Sequence, residues 1–181
     1  MRLRNINYYI AITLDGYICH EDGSIDGFLM EGEHAEDFIK SLDSFDSVLM
    51  GRKTYEFGFQ FGLKAGQPAY QNMKHYIFSK SLDFNQSESV KLVKSNAIEY
   101  VKDLKNNEGG DIWLCGGSEL AGSLFENNLI EKLTLKVNPV IFGSGKKLFG
   151  CSKNPEKFNL LSSKKYDNGV ILNKYEIEKH T

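Results

Sequence analysis

The chain reads as an α/β protein, a largely parallel sheet that ends in an antiparallel hairpin. Three observations predict this. Apolar runs of strand length alternate with segments of helical apolar spacing along most of the chain. The stretch Asp111–Leu120, DIWLCGGSEL, joins the apolar run Ile112-Trp113-Leu114 to a helical pattern at Leu120, Ala121, Leu124 and Phe125 through Gly116-Gly117. Asp167-Asn168-Gly169 then separates two strand-like runs near the C-terminal end, a hairpin signal.

The elements follow in order. Ile6–Leu14, rich in Tyr and Ile, predicts a strand that Asp15-Gly16 ends with a turn. Cys19–Met30, with Gly23, Gly27 and several acids, predicts a loop. Glu33–Leu42 predicts a helix with Ala35, Phe38, Ile39 and Leu42 on its apolar face. Ser47–Met50 is a short strand, Gly51 follows, and Arg52–Glu56 starts a short helix. Phe57–Tyr70 holds three glycines and Pro68 and reads mostly as loop. His75–Ser79 and Ser89–Val93 are further strands. Asn96 and Glu99 have capping-box spacing before a helix with Ile98, Val101 and Leu104 on its apolar face. Leu133, Leu135 and Val137 alternate with polar residues, as in a half-buried strand. Pro139–Gly150 is a turn-rich link, and Phe158–Tyr166 and Val170–Ile177 form the terminal hairpin. No repeat or linker appears, so residues 1–181 are expected to form a single domain.

Composition narrows the function. With 181 residues, 41% hydrophobic, the chain is long enough for one sizeable core. A net charge of -2 gives no sign of nucleic-acid or membrane-surface binding. The apolar runs are far too short to span a bilayer, and the opening MRLRNINYYI is too polar for a signal peptide. Cys19, Cys115 and Cys151 are an odd count without CxxC spacing, which suits buried small residues in a reducing cytoplasm. His20, His34, His75 and His180 are scattered without metal-ligand spacing, so no metal is expected. No GxGxxG, GxSxG or HExxH occurs, and Gly145-Lys146 lacks the rest of a P-loop.

Backbone junctions remain as candidate sites. A strand that turns through glycine into a helix aims free N–H groups and a positive helix end at one point, which suits a phosphate; it is also what a tight turn needs. Two such junctions, Gly51 and Gly116-Gly117, would open at the same edge of a parallel sheet, where ligands bind. Arg52 and Lys53 stand beside the first, as phosphate-binding cations or as a solvated helix end. Ser79-Lys80 ends a third strand. Together the three strand ends argue for a ligand with several phosphates.

These residues carry a family resemblance over nearly the whole chain. VLMGRKTYE (Val48–Glu56) and IWLCGGSEL (Ile112–Leu120) resemble the dihydrofolate reductase superfamily. AITLDGYI (Ala11–Ile18) and VNPVIFGSGKKLF (Val137–Phe149) resemble its riboflavin-biosynthesis branch, the reductase (RibD C-terminal) domain of the bifunctional deaminase-reductase. The resemblance implies a three-layer dihydrofolate-reductase-like fold, with a mixed, mainly parallel central sheet and a C-terminal antiparallel hairpin. It implies NADPH as hydride donor. Ala11 and Ile18 match contacts to the nicotinamide. Gly51, Arg52, Lys53 and Thr54 match the segment that holds the phosphates, and Ser79 and Lys80 the turn beside the adenosine 2′-phosphate. Gly116, Gly117, Ser118, Glu119 and Leu120 match the glycine turn, where the family has a cis Gly-Gly peptide. It also implies a homodimer; Tyr166, Val170, Ile171 and Leu172 place apolar residues on both faces of the hairpin, which suits one.

The chain departs from the family in two places. Phe28-Leu29-Met30-Glu31 lacks the Trp and Leu-Pro of folate reductases, and their acidic position falls on Ala35, beside Glu36. The HxE and PCxxC of the zinc deaminase partner are absent. Hydride transfer to a C=N or C=O needs a proton source. Asp15 is one candidate, with bracing of the Asp-Gly turn as its other role; Glu36 is a second, with solvation of the helix start as its other role. Tyr17 and Tyr55 either wall a flat substrate or pack in the core. Two functions are therefore expected from the sequence. One is an NADPH-dependent reductase of a small heterocycle, resembling 5-amino-6-(5-phosphoribosylamino)uracil reductase or dihydrofolate reductase. The other is a catalytically silent NADPH- or nucleotide-binding module. A structural protein would leave the phosphate-suited junctions unexplained.

Overall fold

An eight-stranded sheet with helices on both faces forms the centre of the computed structural model, which describes residues 3–178. Six of its strands are parallel and sit inside βαβ crossovers. These are β1 (Ile6–Ile12), β3 (Phe45–Gly51), β4 (Lys74–Phe78), β5 (Val90–Val93), β6 (Asp111–Gly116) and β7 (Lys132–Val137). Two hairpin strands, β9 (Phe158–Lys165) and β10 (Ile171–Ile177), complete it in the order β5-β4-β3-β6-β1-β7-β10-β9. Strand β10 runs antiparallel to both of its neighbours, β7 and β9. The buried runs Val48-Leu49-Met50 and Ile112-Trp113-Leu114 lie in β3 and β6, where both faces are covered and polar alternation has no place.

On one face, α3 (Ala97–Asn106) and α4 (Ser118–Glu126) set Val101, Leu104, Ala121, Leu124 and Phe125 against Ile6, Tyr8, Leu49, Ile112 and Leu114. On the other, α1 (Glu33–Ser41) and α2 (Arg52–Phe57) pack Phe38 and Tyr55 against Tyr9, Val48, Met50 and Trp113. Trp113 meets Phe38 edge-on at 5.5 Å and donates its indole N–H to the Tyr9 carbonyl at 3.0 Å. The three layers are those of the dihydrofolate reductase fold.

Several local expectations need correction. On α1, Phe38 and Leu42 of the predicted face pack against the core as expected, but Ile39 is exposed and His34, outside that face, is buried. The capping box does not form: Asn96 is left-handed with no side-chain cap, and Glu99 pairs along the helix with Lys102 at 2.8 Å. A second, two-stranded sheet pairs β2 (Tyr17–Cys19), which ends where the predicted loop starts, with β8 (Lys146–Lys147) inside the predicted link. Gly145 has φ +148, and a Cβ there would overlap the Cys19 carbonyl, so close approach of the two chains requires glycine. Cys151 is exposed in the turn after β8, and Cys19 and Cys115 are only partly covered. Tyr166 and Val170 are buried, whereas the exposed apolar residues of the hairpin are Leu160 and Leu161 on the edge strand β9. His180 lies outside the described residues.

Candidate cofactor and substrate cleft

Strands β4, β3 and β6 are neighbours and parallel, so their C-terminal ends meet side by side. At the middle one, Gly51 leads directly into α2; beside it, Gly116-Gly117, joined by a cis peptide, leads into α4. The junctions touch. A Cβ on Gly51 would stand 3.3 Å from the Gly117 nitrogen, and one on Gly117 would stand 3.2 Å from Thr54 Oγ1. Helix α4 has no side-chain cap, and its first backbone bond runs from Ala121 N–H to the Gly117 carbonyl at 3.0 Å. The N–H groups of Ser118, Glu119 and Leu120 precede that bond and point out of the helix start. The result is a backbone cradle with the positive end of a nine-residue helix behind it.

The cations around the cradle differ in availability. Arg52 pairs along α2 with Glu56 at 2.9 Å. Lys53 and Lys80 are exposed and extend into solvent. Ser79 is buried, and its hydroxyl oxygen accepts the N–H groups of Ser81 at 3.2 Å and Leu82 at 3.0 Å, which shapes the turn that presents Lys80. Ala11 lies two strands from β3, half-buried near the end of β1, and Ile18 is buried in β2 beyond the Asp-Gly turn. A Cβ on Gly116 would stand 3.9 Å from Ile10 Cδ1, which ties the glycine turn to β1.

The two candidate acids are not brought together. The Asp15 carboxylate accepts from the Thr13 hydroxyl at 2.5 Å and from the Phe142 and Gly143 N–H groups at 3.2 and 2.7 Å. The Thr13 hydroxyl, then those backbone N–H groups, hold it below the usual carboxylate range, so it is an anion at neutral pH. Asp15 thus clasps a distant loop rather than only its own turn. Glu36 points to solvent, 4.0 Å from the exposed Lys40. The engaged acid on α1 is Asp37, which meets Lys164 at 2.6 Å and the Tyr166 hydroxyl at 2.8 Å. Glu33, one turn before Asp37 on α1, meets the same Lys164 at 2.8 Å; the one-turn spacing of these two acids is the part of the cluster that the sequence displays. Tyr55 is core, its hydroxyl donating to the Gln67 carbonyl at 2.6 Å, and Tyr17 is half-buried in β2.

Residues that spacing could not single out shape the other side of the cleft. Asn168 donates its amide to His34 Nδ1 at 2.9 Å, which leaves Nε2–H to donate to the Leu29 carbonyl at 2.9 Å. Leu29 N–H donates in turn to Asn138 Oδ1 at 3.0 Å. Phe28 stacks on Phe142, and Phe142 on His20 at 3.7 Å. The segment before α1 is therefore held by the loop that Asp15 clasps.

The model of the family described as RibD C-terminal domain matches residues 4–172. The protein YwjB of Bacillus subtilis (strain 168), described as uncharacterized, is 35% identical over 167 residues, 91% of this chain and 93% of its own. Among solved structures, the diaminohydroxyphosphoribosylaminopyrimidine deaminase/5-amino-6-(5-phosphoribosylamino)uracil reductase of Thermotoga maritima superposes with a TM-score of 0.72 at 15% identity, over 97% of this chain and 57% of that one. A dihydrofolate reductase of Enterococcus faecalis complexed with NADP(H) superposes with a TM-score of 0.68 at 16% identity, over 97% of both chains.

Proposed function

The chain belongs to the RibD C-terminal domain family, and from that membership we propose that it is an NADPH-dependent reductase of a small heterocyclic substrate. The observation that carries the reading is the cradle at Gly51, Thr54 and Gly116-Gly117, where added side chains would meet backbone or Thr54. The N–H groups of Ser118, Glu119 and Leu120 and the α4 dipole would hold the pyrophosphate. Thr54 closes the cradle from α2, while Lys53 and Lys80, with Arg52 and Ser79 behind them, would face the 2′-phosphate. Ala11 and Ile18 would flank the nicotinamide, Ala11 because its small side chain leaves room above β1. When bound, NADPH supplies a hydride; the chain itself orients the ring, excludes water and offers the proton. The reading includes one domain over residues 1–181, a homodimer and a cytoplasmic setting. Among the described residues, no helix is long and apolar enough to cross a membrane.

The test is direct. Titration with NADPH should give saturable binding, and a panel of pteridines and pyrimidines should contain at least one that accelerates loss of the 340 nm nicotinamide absorbance, a general property of the reduced ring. No binding sinks the reading. The second reading, a silent NADPH-binding module, is favoured by one observation: Asp15 is fully engaged and Glu36 faces solvent. Binding without oxidation of any panel member would select it.

A further inference from the structure

We propose that Lys136 is the substrate-facing cation of the cleft, binding the heteroatom of the reducible C=N or C=O and giving it the proton. The inference rests on the reductase reading above. Its geometry comes from sheet register. Lys136 on β7 is paired with Ala11 on β1 and with Leu172 on β10. Residues paired across strands share a face. Ile10 and Leu135, the preceding positions, pack into the core on the α3–α4 side. Leu172 and Tyr9 pack into the core on the α1–α2 side, so Lys136 faces α1 and stands beside Ala11. The small Ala11 side chain leaves space next to the lysine stem. Two neighbours of Lys136 on this face, Tyr9 and Leu172, line a groove of about 410 Å³ along α1; Lys136 itself lies beside the groove and not in its lining.

The chemistry of that position is unusual. Lys136 is half-buried, and its ammonium has no hydrogen-bond or ion-pair partner among the described residues. Of the other lysines near α1, Lys164 is paired with Asp37 and Glu33, Lys40 loosely with Glu36, and Lys174 is exposed to solvent. A sheltered cation without a counter-ion is unfavourable, and a ligand carbonyl, imine nitrogen or anion beside Ala11 would remove that penalty. Burial lowers the Lys136 pKa, which makes the ammonium a better acid. The titratable and charged groups on this face include Tyr9 on β1, Tyr70 and Cys115, Glu33, His34, Asp37 and Lys40 on α1, Lys164 on β9, Tyr166 just after it and Lys174 on β10.

The step balances without a further reagent. Bound NADPH would supply the hydride that forms the new C–H bond, and would be oxidised to NADP⁺ in doing so. The π pair of C=N or C=O moves onto the heteroatom, which takes a proton from Lys136 Nζ. The neutral amine regains its proton from water. Before transfer, the ammonium stabilises the charge that develops on the heteroatom. The substrate class is thus a planar heterocycle that presents a carbonyl or imine toward β7.

The experiment reads the lysine itself. Lysines are converted to ¹³C-dimethyl derivatives in the intact protein, and the Lys136 signal is identified by its loss in Lys136→Arg, with folding checked by circular dichroism. Barbiturate, a planar pyrimidine anion, is the probe. The Lys136 signal should titrate at lower pH than the other lysines, and barbiturate should shift it and raise its midpoint. Titration with the bulk lysines, or no response to barbiturate, overturns the proposal. NADPH binding by the wild-type protein is measured separately. If NADPH fails to bind while barbiturate moves Lys136, the reductase reading falls and the ligand contact stands. If NADPH binds and Lys136 does not respond, only the proposal for Lys136 falls.

Discussion

Gly117→Val should abolish NADPH binding while leaving the protein folded. The structure fixes where the added atoms go. A Cβ on Gly117 already stands 3.2 Å from Thr54 Oγ1, and the Gly117 nitrogen lies against Gly51. The two γ-methyls of valine must then enter the open side of the cradle, in front of the Ser118 and Glu119 N–H groups. Hydrogen bonds to a charged phosphate contribute about 1.5–3 kcal/mol each. Loss of two of them gives about 3–6 kcal/mol, or roughly a 10²- to 10⁴-fold weaker Kd. The cost to folding is smaller. Gly117 is only half-buried and its φ of -93 suits any residue, so the crowding against Thr54 costs about 1–2 kcal/mol.

The assay uses the chain's single tryptophan. Trp113 lies on β6, three residues before Gly116, and should transfer excitation to a bound reduced nicotinamide. Thr54→Ala supplies the control, because it removes the Oγ1 that a Cβ at position 117 meets. The pair Gly117→Ala/Thr54→Ala should regain most of the stability lost in Gly117→Ala. Gly117→Val with a Kd within about threefold of wild type, about 0.7 kcal/mol, would refute the placement of the pyrophosphate.

Four further outcomes are expected. NADPH should bind more tightly than NADH, and Lys53→Ala and Lys80→Ala should each narrow the gap about 3- to 10-fold in a low-salt titration; equal affinities in the wild-type protein sink this. Sedimentation at micromolar concentration should show a homodimer, which Leu160→Asp or Leu161→Asp on the exposed edge strand should split, whereas a lone 20.5 kDa species refutes it. Glu131 pairs with the buried Lys105 and accepts the Ile6 N–H at 2.8 Å, so Glu131→Ala should cost about 2–4 kcal/mol after allowance for its partial exposure and lower the urea midpoint by about 1–2 M. Asp15 is held below its ordinary range, so its hold on Phe142 and Gly143 is complete above the unfolded carboxylate value and is lost as pH falls through the lowered one; Gly143 amide exchange, corrected for intrinsic rate, should stay protected at pH 5 in the wild type but not in Asp15→Asn.

What the sequence disclosed and what it hid divide by range. Val48–Met50 and Ile112–Leu114 are legible as buried strands because both faces of a central parallel strand demand apolar side chains. Gly116-Gly117 and Asp167-Asn168-Gly169 are legible because their chain geometry is local. Pairing of Tyr17–Cys19 with Lys146–Lys147 is not, since neither segment is long enough to show a period and the partners come from opposite ends of the chain. For the same reason Asp15 could be assigned only its own turn: Phe142 and Gly143 lie more than a hundred residues away.

Strand β7 shows how a correct period can carry a wrong inference. Leu133, Leu135 and Val137 alternate with Thr134 and Lys136, and alternation alone assigns the polar set to solvent. The sheet order places β7 between β1 and β10, with α1 over the polar face. Thr134 is accordingly buried, donating its hydroxyl to Asn7 Oδ1 at 3.1 Å. Lys136, two residues on, shares that covered face but has no such partner among the described residues. A hydroxyl under a helix is satisfied within the sheet; an ammonium there is a group whose partner must come from elsewhere. Alternation in a central strand therefore marks two buried faces of different polarity, and the polar one is where this fold has room for chemistry.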